Sequence, residues 1–182
     1  MKKTIYISSF LLLIFSVFSF TKKEKSIDKL VQKIWKTEDI KRVPIKVPDS
    51  LKHNLSDSYI LLKDDQVLGY ACYTTAYGCQ VGGCAKSSDP NAQAYETFDY
   101  IVIFDTNFSI KKVEIAQYPG AYGYQICRRS WLKQFTGKTP NIELNKDVDG
   151  VSGATISAQF LVDDLNMVKT NLDAITSEAV SL

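Results

Sequence analysis

The clearest pattern of apolar positions lies near the C-terminus. Ile156, Phe160, Leu161, Leu165, Val168, Leu172 and Ile175 keep a 3.6-residue rhythm over about five turns, with Asp163, Asp164 and Lys169 expected on the opposite face. That predicts a long amphipathic helix. A second helix is predicted over 26–36, where Ile27, Leu30, Val31, Ile34 and Trp35 fall at offsets 0, 3, 4, 7 and 8 and Ser26 stands where a cap would. Pro44 and Pro48 then read as a linker.

Two β-rich runs follow, "SYILLKDDQVLGYACYTTA" and "ETFDYIVIFDTNFSIKKVEIAQY", each with a polar turn at its middle, Asp64-Asp65 in one and Asp105-Thr106-Asn107 in the other. They predict two antiparallel hairpins. Between them "YGCQVGGCAKSSDPNAQ" lacks an apolar period and reads as a long loop, a kind of segment that is often functional. "YPGAYGY" is a second, glycine-punctuated loop. It leads into a predicted helix, "QICRRSWLKQFTG", that ends at Gly137, with Trp131 as its core anchor. Hairpins followed by helices imply an α+β domain, a twisted antiparallel sheet of two hairpins with packed helices.

Composition narrows the class. The 182 residues are 45% hydrophobic and 23% charged, the balance of an ordinary globular domain. Residues 1–20 carry two lysines, then an apolar run without acids, which is the layout of a signal peptide or an N-terminal anchor near the lower spanning length of roughly 17 residues. Residues 21–50 are expected as helix and linker and 51–182 as the domain, exported and facing the periplasm or cell exterior. The charge excess belongs to the leader: 22 basic residues less Lys2 and Lys3 leave 20, against 20 acidic ones. Such a balance argues against nucleic acid as a partner. "TKKEK" after the leader reads as a solvated linker, since Glu24 interrupts it.

The chemistry gathers where the long helix begins, at "DVDGVSGATIS". With Ser152 as the cap, Gly153, Ala154 and Thr155 would fill the first turn, where backbone N–H groups lack partners and the dipole end is positive. An anion is welcome there, by about 0.3 to 1 kcal/mol at a surface. A cap alone does not call for the small residues and the hydroxyl that follow it.

Asp149-Gly150-Val151-Ser152-Gly153-Ala154-Thr155 resembles the D-x-x-[S/T]-G-A-T signature of FMN-binding domains, the family of the covalent flavin subunits of sodium-pumping quinone reductases and Rnf complexes. The resemblance implies that a flavin transferase takes FAD, releases AMP and joins FMN through its phosphate to the Thr155 hydroxyl. It implies roles in transferase recognition or cofactor contact for Asp149, Ser152, Gly153 and Ala154. Gly69-Tyr70 is similar to the family's early Gly-Tyr, Tyr118-Pro119-Gly120 with Tyr122 resembles its T-P-G-x-G flavin loop, and "WLKQFTGK" its W-x-x-x-F-x-G-K segment. Coverage is roughly residues 55 to 172. Tyr118 stands where the family has threonine, Ala121 and Tyr122 add bulk, and the Cys-bearing loop is outside the pattern. The implied partners are the transferase and redox proteins or a quinone-linked membrane complex. The implied activity is electron transfer; the competing readings are a flavin-dependent reductase of an exported small molecule and a binding module that is never flavinylated.

Other chemistries fit less well. "GVSGA" departs from the G-x-S-x-G nucleophile elbow at Ala154, and the lone His53 precedes the serine, against the chain order of that fold. No P-loop motif occurs. Cys72, Cys79, Cys84 and Cys127 lack zinc or haem spacing, and no metal site is expected. In an oxidising compartment Cys79 with Cys84 is the expected disulfide, Cys72 with Cys127 a second candidate, among three connectivities. A redox-active Cys79–Cys84 pair beside the flavin is the sharper alternative. Tyr122 and Tyr124 either stack on the flavin or pack at its rim.

Overall fold

The computed structural model describes residues 22–55, 57–80 and 95–180. Five strands form one antiparallel sheet in sequence order: β1 (Lys41–Pro44), β2 (Asp57–Lys63), β3 (Gln66–Gln80), β4 (Tyr95–Asp105) and β5 (Ile110–Gln117). The helices are α1 (Lys22–Trp35), the single turns α2 (Lys52–Leu55) and α3 (Arg129–Leu132), and α4 (Thr155–Val180). The α+β class is as expected, with one strand more than two hairpins supply.

The predicted turns close as read. Asp64 and Asp65 both take positive φ, 48° and 60°, as a two-residue turn matched to strand twist requires. Asp105 accepts the backbone N–H groups of Asn107 and Ser109 on its carboxylate, and Phe108 takes φ 57°. The loop expected from Tyr77 begins later, because β3 continues to Gln80, and its remainder lies outside the described residues.

β4 explains why its sequence is apolar without alternation: both faces of the sheet are covered. Phe98, Tyr100, Val102 and Phe104 join one core with Cys72, Leu161, Leu165, Val168 and Leu172, between the sheet and α4. Ile101 and Ile103 join a second core with Leu61, Ala71, Tyr73, Ile27, Leu30 and Val31, under α1. Helices α1 and α4 therefore lie on opposite faces.

Four expectations are corrected. Residues 41–44 are an edge strand, Lys41–Pro44, whose terminal proline sits where a missing N–H is tolerated. The Arg42 side chain reaches Asp28 and Glu24 of α1, so this segment is built into the fold. Ser26 is inside α1, donating to the Lys22 carbonyl at 3.0 Å, because the helix starts at Lys22 within the run read as a linker. Residues 125–137 form no continuous helix but a 3₁₀ turn (Tyr124–Cys127), α3 and a second 3₁₀ turn (Lys133–Phe135), closed by Gly137 at φ 84°. Asp164 is on the buried face of α4 and accepts the Tyr100 hydroxyl at 2.6 Å.

Trp131 is buried and meets Phe135 edge to face. Gly137 donates to the Ile110 carbonyl and Ile110 to that of Lys138, which stitches this segment to the start of β5. Among the described residues no helix is long and apolar enough to cross a membrane.

Candidate functional site

The chain before α4 is held from several sides. Asn166, one helical face above it, donates to the Ile142 carbonyl and accepts the Ile142 N–H at 3.0 and 2.9 Å, so its amide replaces a strand partner. Asn145 takes φ 65° and donates to the Val148 carbonyl. Gly150 packs so closely that a Cβ there would stand 2.5 Å from Asn145 Oδ1. Asp149 is gripped by its backbone: its N–H donates to Gln134 Oε1 at 2.9 Å and its carbonyl accepts the Trp131 indole N–H at 2.7 Å. Its carboxylate side is left at the surface.

From Val151 to Ala154 the chain makes a tight turn, with the Ala154 N–H on the Val151 carbonyl at 2.9 Å. Gly153 sits in it at φ 78°, a left-handed conformation that glycine takes readily. Val151 and Ala154 are buried while Ser152 and Gly153 are exposed, so the turn is pinned at its two ends. This corrects the capping assignment: Ser152 is in the turn, and Ala154, whose carbonyl takes the Ala158 N–H, occupies the cap position. The left-handed Gly153 cannot belong to a right-handed first turn. Thr155 is the first helical residue and is exposed. The N–H groups of Thr155, Ile156 and Ser157 precede the first helical bond, so the anion-accepting end of a 26-residue helix begins at the threonine.

Beneath Thr155 lies a small polar cluster. Ser157 is fully buried, with its Oγ 2.9 Å from the Tyr118 hydroxyl and donating to Cys79 Sγ at 3.3 Å. The Tyr118 hydroxyl donates to the Tyr122 carbonyl at 2.6 Å, and its ring stacks on Phe98. Tyr118 spends its one proton on the carbonyl, so the Ser157 proton is shared between Cys79 Sγ and the Tyr118 oxygen. Burial pushes the Tyr118 phenol above its ordinary value, against the Ser157 hydrogen bond, which lowers it. Gly123, at φ 85°, closes the cluster: any side chain would collide with Ser157 Oγ, Tyr118 Oη and Cys79 Sγ.

The predicted site residues divide accordingly. Ser152, Gly153, Ala154 and Thr155 are together at the junction, and Tyr118 reaches its underside through Ser157. Pro119 and Gly120 lie instead toward the start of β4, where Pro119 lines a shallow groove with Thr97 and Gly120 packs on Glu96. Tyr122 and Tyr124 expose about half of their surface, 50% and 58%. Cys72, Cys79 and Cys127 are free thiols, and Cys84 lies outside the described residues. The Cys72–Cys127 pair is not formed, because Cys72 points into the core and Cys127 is exposed. Burial pushes the Cys72 thiol up to about 12.

Five residues the sequence reading passed over lie at this junction. A groove of about 260 Å³ runs beside it, with Arg128, Ser130, Gln134, Asp149 and Ser152 on its walls. Gln125 lies on Gly153, and its Oε1 is buried without a hydrogen-bond partner among the described residues. Ser157 was detectable, since it falls on the buried stripe 157, 161, 165, 168. Gln125, Arg128, Ser130 and Gln134 carry no sequence signal, because a run of short helical turns brings them here. No protein-family model matches the chain, and no curated protein matches it significantly.

Proposed function

We propose that this chain is an electron-transfer flavoprotein of the FMN-binding-domain type, with FMN esterified through its phosphate to Thr155. The observation that carries the reading is the contrast within one helical turn. Thr155 is exposed at the first helical position, while Ala154 before it and Ser157 after it are buried and immobilised. A modifying enzyme can reach that hydroxyl, and the backbone presenting it is fixed.

The surroundings suit a phosphoester. Phosphate on Thr155 would sit at the positive end of a long helix, and Arg128 offers a cation from the adjoining groove. Gln125, whose buried acceptor has no partner among the described residues, has capacity for a donor on the attached group. The exposed rings of Tyr122 and Tyr124 flank Gly123, with Gln125 next in the chain, and can cover an aromatic cofactor. When attached, the flavin supplies one- and two-electron chemistry, and the protein supplies attachment and orientation.

Co-expression with a flavin transferase tests the reading. The parent protein should stay fluorescent on a denaturing gel, and Thr155→Val should be dark yet folded. A dark parent band would sink it.

A further inference from the structure

We propose that the outer face of α1 is a landing surface for an anionic phospholipid bilayer, with Lys22, Lys25, Lys29 and Lys33 set against the headgroups. At about 100° per residue these four lysines fall within an arc of about 80°, centred about 150° from the stripe of buried Ile27, Leu30 and Val31 and half-buried Ile34. All four are exposed. Ser26 and Gln32 border that arc, so α1 itself places no acid on this face; at its end Lys22 also lines a groove with Asp99 of β4.

The acids of α1 are used elsewhere. Glu24 and Asp28 turn to the side and pair with Arg42 of β1, and Lys23 is the one lysine drawn inward, to Asp57 and the face of Tyr73. A helix that looks mixed in sequence is therefore sorted into a neutralised flank and a cationic outer stripe. None of the four stripe lysines forms an ion pair among the described residues. The domain as a whole is neutral, so the stripe is a local field rather than a reflection of net charge.

Position selects the partner. Residues 4–20 contain no charged side chain, and that apolar stretch ends at Phe20, two positions before the helix begins. A cluster of basic residues directly beside a membrane-seeking segment is placed where acidic headgroups lie, and the attraction is confined to about a Debye length, roughly 8–10 Å. Four lysines along about 16 Å of one straight helix meet a flat surface together. The stripe has no arginine, the residue best suited to bidentate phosphate recognition on a nucleic acid. One consequence concerns orientation: α1 and α4 cover opposite faces of the sheet, so docking through α1 turns the Thr155 face toward water and toward soluble partners.

Amine-reactive footprinting of the full chain, read residue by residue by mass spectrometry, tests this. The chain is placed in vesicles of phosphatidylcholine alone or with about one third phosphatidylglycerol. Lys22, Lys25, Lys29 and Lys33 should react at least about threefold more slowly in the anionic vesicles, and the protection should vanish at about 0.5 M salt. Lys133 and Lys146 should react equally in both. The exposed Lys36, one residue past α1, should share the protection in the parent and lose it when the four stripe lysines are changed to glutamate, with the urea midpoint little changed. Equal reactivity of the stripe in the two vesicle types overturns the proposal, as does protection by duplex DNA without protection by anionic vesicles. Neither result depends on the state of Thr155.

Discussion

The indole N–H of Trp131 donates to the backbone carbonyl of Asp149 at 2.7 Å, and that one bond ties the buried helical turn α3 to the exposed segment ahead of Thr155. A core side chain thereby sets the path of the junction. Trp131→Phe removes the donor and leaves the carbonyl short of a partner, which should lower stability by about 1 to 3 kcal/mol in urea unfolding. The yield of flavin attachment should fall further than the stability loss explains, because the segment is freed locally.

Gly123 and Gly137 have nearly the same φ, 85° and 84°, but different neighbours. A Cβ on Gly137 meets nothing within 4 Å, whereas one on Gly123 collides with Ser157, Tyr118 and Cys79. Gly137→Ala should therefore cost only the left-handed backbone strain, about 1 to 2 kcal/mol, and Gly123→Ala clearly more. Equal losses would show that the cluster under Thr155 yields freely.

Much of this was readable along the chain, and the failures have physical causes. The Asp64-Asp65 and Asp105–Asn107 turns were legible because their residue types match the conformations the turns need. Strand β1 was not, since four residues with a terminal proline give no period and owe their place to Arg42 and to pairing with β2. The small residues of the junction were visible, but not that Gly153 is left-handed, which moves the helix start to Thr155. Asp164 read as a surface acid beside Asp163; only the fold brings Tyr100 to it.

Tyr100→Phe tests that buried pair. It removes a donor from the carboxylate of Asp164, a residue only 8% exposed, and should lower stability by about 1 to 3 kcal/mol in urea unfolding. A change within about 0.3 kcal/mol would mean that other contacts of Asp164 suffice.

Stability should fall in alkali. Burial raises Cys72 from 9.0 to about 12, and burial with the Asp99 charge raises Tyr73 from 10.0 to about 12. Both are raised in the folded state, so the native protein keeps protons that the unfolded chain releases. The contribution is complete below the unfolded values and is lost as pH climbs from about 9 toward 12. The urea midpoint, measured from pH 7 to 11, should be level to about pH 9 and then decline, with the onset moved toward pH 10 in Cys72→Ala.

Thr155 is the centre of the account, and its chemical state can be weighed directly. Intact-mass measurement of the chain co-expressed with a flavin transferase should show an added FMN less one water, mapped by peptide fragmentation to Thr155 and missing from Thr155→Val. An unmodified Thr155 in that preparation, or the same added mass on another residue, would contradict it.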